Sequence, residues 1–86
     1  KLKLNLRNML VDIITPDQEL FSGDILSIEL PGSDGSFEIL NNHAPIIATL
    51  SGGKITIALE NGKKESFEVN GGVVETQNNK IIVLVD

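Results

Sequence analysis

Apolar and polar residues alternate with a period of two along most of this chain, which predicts strands. Leu26, Ile28 and Leu30 alternate with Ser27 and Glu29, and Ile55, Ile57 and Leu59 with Lys54, Thr56, Ala58 and Glu60. Phe67 and Val69 repeat the pattern against Ser66, Glu68 and Asn70. Lys80–Val85 is apolar on both sides, which predicts a strand lying centrally or beneath other segments. Gly and Asn recur between these runs, at Gly32 and Gly35, Asn41 and Asn42, Gly52 and Gly53, Gly71 and Gly72, and Asn78 and Asn79. Short strands punctuated this often predict an all-β sandwich or barrel. Asn61-Gly62 separates two of the runs and predicts a two-residue type I′ hairpin, whose central residues both need positive φ. The three phenylalanines, Phe21, Phe37 and Phe67, occupy core-like positions.

One segment carries a helix signal. Thr15-Pro16-Asp17-Gln18 offers an N-cap, a first-turn proline and a capping-box glutamine. The apolar residues that follow, Leu20 and Phe21, meet Gly23 before two helical turns form. The segment therefore reads as a turn between strands.

At 86 residues the chain is one domain with a single core. Its stability on the usual per-residue scale is roughly 4–13 kcal/mol. Residues 9–86 form that domain. Residues 1–8 read either as a remnant ahead of Met9 as initiator or as an extension of the first strand.

A formal net charge of −5 argues against nucleic acid and against adsorption to an anionic membrane. No apolar run approaches the ~20 residues that span a bilayer as a helix, so membrane insertion is not expected. There is no Cys, hence no disulfide. Lys1 to Asn8 alternates Leu with polar residues and lacks the continuous apolar stretch of a signal peptide.

Motifs for catalysis are missing. His43 is the single histidine, so no His-based metal cluster forms, and no Ser sits on a G-x-S-x-G elbow. Gly52-Gly53-Lys54 is followed by Ile55 where a phosphate loop needs Ser or Thr. Asp17, Glu19 and Asp24 lack the spacing of a Ca²⁺ loop and read as a solvated acidic edge. Neither a cofactor nor a metal is expected.

The most informative stretch is residues 30–45, LPGSDGSFEILNNHAP. Phe21-Ser22-Gly23 precedes it and Asn70-Gly71-Gly72-Val73-Val74-Glu75 follows, with Val83-Leu84-Val85-Asp86 closing the chain. Taken in this order and spacing, these motifs resemble the β-sandwich domain of the epsilon subunit of rotary, F-type ATP synthases, from about Met9 to Asp86. Two departures stand out. Glu38 occupies a position where the family usually has Gly, and most bacterial relatives continue into two C-terminal helices beyond the equivalent of Asp86.

The resemblance implies a flattened sandwich of about ten short strands, without a C-terminal helical domain in this chain. It implies a non-catalytic rotor subunit at the foot of the central stalk, coupling proton translocation to ATP synthesis. Its partners would be the gamma subunit and the c-ring, at the cytoplasmic face of the bacterial inner membrane. Carried over by position, Ser33, Asp34, Gly35, Ser36 and Glu38 would face the c-ring. Thr15, His43 and Ala48 would face gamma. Gly23, Gly32, Pro45, Asn61, Gly62, Gly71 and Gly72 would shape the turns. A stand-alone β-sandwich binding module is the alternative, although it would be expected to expose more aromatic residues than three Phe and no Trp or Tyr.

Overall fold

The computed structural model describes residues 8–86, and the described residues contain nine strands and no helix. The strands are β1 (Met9–Ile14), β2 (Glu19–Ile25), β3 (Ser27–Gly32), β4 (Gly35–Leu40), β5 (Ile46–Leu50), β6 (Gly53–Ala58), β7 (Lys64–Val69), β8 (Gly72–Gln77) and β9 (Lys80–Val85). Apart from Asn8, which precedes β1, residues 1–8 lie outside the described part. All nine strands belong to one curled sheet in the order β2-β1-β9-β8-β5-β3-β6-β7, with β4 paired to the other side of β3. Only β1 and β9 run parallel; every other pairing is antiparallel.

Two bends fold the sheet onto itself. β2 runs into β3 across the single residue Leu26, whose N–H donates to the Ala58 carbonyl at 2.8 Å. β5 runs into β6 across Ser51-Gly52, so one nearly continuous strand serves both layers. The layers are stitched at this corner by the Gly32–Leu50 pairing, by Ser33 N–H to the Thr49 carbonyl (3.0 Å) and by Ser51 N–H to the Pro31 carbonyl (2.8 Å). Strands that change sheets through bends make the corners of such packings.

The period-two pattern turns one side of every strand inward. Met9, Val11 and Ile13 face Ile81, Val83 and Val85 of β9, while Ile28, Leu30, Ile39, Ile55 and Ile57 close the core from the other layer. The fully buried core is aliphatic. Phe21, Phe37 and Phe67, expected to be largely buried, are part-buried and pack against its margin. The physical reason is the open path of the sheet. β2 and β7 are its two outermost strands, and Phe21 meets Phe67 with ring centroids 6.3 Å apart and planes tilted by 54°. The seam between those strands is thus covered by a ring contact. Two backbone approaches are too close for side chains. A Cβ on Gly72 would run into the Leu84 carbonyl oxygen, and one on Gly32 would sit 2.6 Å from the Gly35 oxygen.

The hairpins correct one expectation from sequence. Asn61-Gly62 does lie in the β6–β7 hairpin, but the turn is not type I′. Gly62 has φ 87°, whereas Asn61 is not among the positive-φ residues. Gly62 N–H donates to Leu59 O (3.0 Å) and Leu59 N–H to Lys63 O (2.8 Å), which makes a three-residue loop with its left-handed residue last. The type I′ geometry belongs to Asn78-Asn79, with φ 57° and 61°, between β8 and β9. Side-chain bonding explains why Asn rather than Gly stands there. Asn79 Oδ1 accepts the Asn42 N–H (2.8 Å) and its Nδ2 donates to Asn41 Oδ1 (2.8 Å), tying this turn to the β4–β5 connection. The Thr15 segment is a turn, as read: Thr15 Oγ1 accepts the N–H groups of Gln18 (3.0 Å) and Asp17 (3.2 Å).

Two outcomes are expected. In a double-mutant cycle on Phe21→Ala and Phe67→Ala by chemical denaturation, the pair should couple by about 0.5–1.5 kcal/mol. Each single change should cost less than the ~3–5 kcal/mol of a fully buried Phe; zero coupling would show that the seam is held by other contacts. Asn79→Gly keeps the backbone free but deletes three side-chain bonds, the third a long one from Nδ2 to Asn42 Oδ1 (3.4 Å), so it should cost about 1–3 kcal/mol. Asn78→Gly, measured alongside, should lie within about 0.5 kcal/mol of the parent.

Candidate interaction surface

No group of three or more His, Cys, Asp or Glu side chains among the described residues is placed to hold a metal ion. The features that remain are surfaces, and the two outward faces differ sharply in chemistry.

The strand register sets the outward residues of β1, β9, β8 and β5 in rows. One row runs Ile14, Leu84, Val73, Thr49; the next runs Asp12, Ile82, Glu75, Ile47; Leu10, Lys80 and Gln77 begin the third. Leu10 is 52%, Leu84 50% and Ile47 74% exposed. Ile14, Val73 and Ile82 between them are part-exposed. Apolar groups are therefore displayed across four adjacent strands. Such a grouping of exposed apolar side chains marks an interaction site more often than a scattered exposed Leu does. Polar groups interrupt it: Glu75 stands between Ile82 and Ile47, and Asp12, between Leu10 and Ile14, accepts the Ser22 hydroxyl at 2.6 Å.

The outward face of β4, β3, β6 and β7 is mostly polar, with Leu40 at the end of β4 as its exposed apolar residue. Glu38 lies opposite Glu29, Glu29 opposite Thr56, and Thr56 opposite Ser66, with a 3.1 Å hydroxyl contact between the last two. Glu38, where the family usually has Gly, is an ordinary exposed strand residue without positive φ. Its side chain points to the outward face, so nothing in the local backbone requires Gly.

The residues singled out by position fall into two groups. Ser33, Asp34, Gly35 and Ser36 are brought together at the tip of the β3–β4 hairpin, all exposed, with Glu38 farther along β4. A groove of about 650 Å³ runs between this tip and β5, lined by Phe37, Ile46 and Ala48 as well as the tip residues. Ser33 Oγ accepts the Thr49 hydroxyl at 3.0 Å across its end. Thr15, His43 and Ala48 are not brought together. Thr15 lies in the β1–β2 turn beside the chain end at Asp86, and His43 lies in the β4–β5 connection beside Asn78 and Asn79, at the opposite end. Ala48 sits on the inward side of β5, paired with buried Val74. His43 Nδ1 lies 2.7 Å from the Ala44 oxygen, and its N–H donates to Leu40 O at 3.1 Å.

The sequence reading missed the apolar outward face. Its signal was present as runs apolar on both sides, Lys80–Val85 and the pairs Ile46-Ile47 and Val73-Val74. Of these, Lys80–Val85 reads as a strand lying centrally or beneath other segments. β9 is indeed central, between β1 and β8, yet its outward side stays uncovered among the described residues.

Comparison with known proteins agrees with this architecture. The epsilon chain of ATP synthase from Chlorobium limicola is 41% identical over 76 residues, which is 88% of this chain and 86% of that one. The epsilon chain from Dichelobacter nodosus is also 41% identical over 76 residues, although these make up only 53% of its length. Among solved structures, a chain of the Euglena gracilis mitochondrial ATP synthase, in its OSCP/F1/c-ring part, superposes with a TM-score of 0.87 at 16% identity, covering 92% of this chain and 51% of that one. A chain from the central stalk and c-ring of the Tetrahymena thermophila mitochondrial ATP synthase gives 0.71 at 22% identity, covering 90% and 62%. At those identities the structural likeness speaks for the fold. Residues 8–86 match the family model of the ATP synthase delta/epsilon chain β-sandwich domain, and with the Chlorobium limicola relative this similar over most of its length the chain belongs to that family.

Proposed function

We propose that this domain works as the epsilon-type foot of the central stalk in an F-type ATP synthase, at the cytoplasmic face of a bacterial inner membrane. It would bind gamma and rest on the c-ring without performing chemistry itself. The observation that carries this reading is the apolar outward face of β1, β9, β8 and β5, with Leu10, Ile47 and Leu84 each at least half exposed. Gamma is its occupant in this reading, with the turns holding Thr15 and His43 bracketing the patch at either end. The β3–β4 hairpin tip, residues 33–36, meets the ring.

Physical requirements of a rotor support the assignment. A part that passes torque between two partners must resist shear, and a close-packed aliphatic core deforms little. It needs two separate contact surfaces of different character. An apolar face gives a lasting attachment to one partner, because the central part of a stable interface is depleted in charge. An acidic exposed tip gives a contact that orients docking while adding little energy, as expected where Asp34 meets a basic group at a rim.

Two measurements separate these contacts. Ile47→Glu combined with Leu84→Glu should weaken co-elution with gamma at least tenfold, about 1.4 kcal/mol. The thermal unfolding of the domain should stay close to the parent, because both side chains already face water. Undiminished gamma binding would remove the apolar face from the interface. Asp34→Lys should leave gamma binding intact and reduce ring association and proton-driven ATP synthesis at low salt, with roughly 0.2–1 kcal/mol per charge pair at stake. If ring association at low salt equals that of the parent, the hairpin tip is a solvated turn.

A further inference from the structure

The chain contains two Asn-Gly dipeptides, Asn61-Gly62 and Asn70-Gly71, and the fold treats them in opposite ways. Asn-Gly is the dipeptide in which a backbone nitrogen most readily attacks the preceding side-chain amide, because Gly offers no Cβ to obstruct the approach. We propose that Asn61 is a site of spontaneous covalent self-modification, converting to aspartate and isoaspartate in the folded protein, while Asn70 is protected.

The chemistry is balanced by water alone. The Gly62 nitrogen gives up its proton to solvent base and bonds to Asn61 Cγ. The Cγ–Nδ2 bond then breaks, and ammonia leaves. Water opens the resulting cyclic imide at either carbonyl, giving an aspartyl or an isoaspartyl linkage. The net change is loss of ammonia and gain of water, with one more negative charge than the formal −5.

At Asn61 the structure supplies what the first step needs. Asn61 and Gly62 are both exposed at the tip of the β6–β7 hairpin, and nothing lies within 4 Å of where a Gly62 Cβ would be. The Lys63 N–H donates to Asn61 Oδ1 at 2.9 Å. That is the oxygen on which negative charge develops when Cγ is attacked, so the donor acts as a small oxyanion hole. One bond opposes reaction, from Gly62 N–H to Leu59 O at 3.0 Å. It lies in an exposed hairpin tip, where local opening costs far less than global unfolding.

At Asn70 the surroundings are different. Gly71 is buried in the crossover from β7 to β8, and its carbonyl accepts the Asp86 N–H at 3.1 Å. A Cβ added at Gly71 would lie 3.4 Å from the Leu50 carbonyl oxygen and 3.3 Å from the Asp86 carboxylate. Swinging the Gly71 nitrogen onto the Asn70 side chain would disturb this packing. Its opening free energy is closer to that of the whole domain.

The test is to hold the purified chain at mildly alkaline pH, folded in one arm and in denaturant in the other. Tryptic peptides covering 55–63 and 65–80 are then assayed for deamidation by mass and for isoaspartate by methyltransferase labelling. In denaturant the two Asn-Gly sites should react at rates within a few-fold of each other. In the folded chain the 55–63 peptide should convert at least tenfold faster than Asn70, and Gly62→Ala should slow it at least tenfold. Equal rates at the two sites in the folded chain, or an unchanged ratio between the arms, would overturn the proposal. So would conversion at Asn61 that is undetectable while the denatured chain reacts.

Discussion

Everything in this domain depends on one curled sheet keeping a single inward face continuous through two bends. The inward side chains of β1, β9 and β8 meet those of β3, β4 and β6 only because β2–β3 turns at Leu26 and β5–β6 at Ser51-Gly52. A sheet of this size without those bends would expose the same aliphatic residues and have nothing to pack against. The bends in turn require places where backbone comes unusually close to backbone or ring. Gly32 and Gly72 stand at two of them, flanking Leu50 in the ladder where the layers join.

The core uses small branched side chains rather than aromatic ones, and this follows from the tightness of the curl. Ile and Val fill a narrow space between layers in few rotamers, which leaves little freedom for the two layers to slide. The phenylalanines are then available at the margin, where Phe21 and Phe67 cover the gap between the outermost strands β2 and β7. An asparagine network does comparable work at the end of the domain where β8 turns into β9. There Asn79 holds the β4–β5 connection against the β8–β9 turn. Both devices stiffen places that the backbone ladder leaves open.

The outward faces divide the contact chemistry of the domain between them. One presents aliphatic side chains on four adjacent strands and the other presents carboxylates and hydroxyls, so each side suits a different class of contact. An exposed hairpin tip beside β5, bearing Asp34, adds a third contact point. Such a division of surfaces on a rigid body is what coupling two partners mechanically demands.

Much of this was legible in the chain. The all-β class, most strand positions, the Thr15 turn and the central place of β9 follow from period-two alternation and from turn residues at set intervals, while the family likeness rests on motifs such as residues 30–45. Those signals are local, and the energetics that create them act within a few residues. Three matters were settled only by the tertiary structure. Type I′ geometry fell to Asn78-Asn79 rather than to Asn61-Gly62, where distant partners, Asn41 and Asn42, bond the Asn79 side chain. Ala48 turned inward while Ile47 turned out, because register with β8 fixes which alternate face is buried, and a run such as Ile46-Ile47 carries no sign of it. The apolar outward patch could not be told from buried core in the sequence, since a strand hydrophobic on both sides reads alike whether its second face meets its own chain or another molecule.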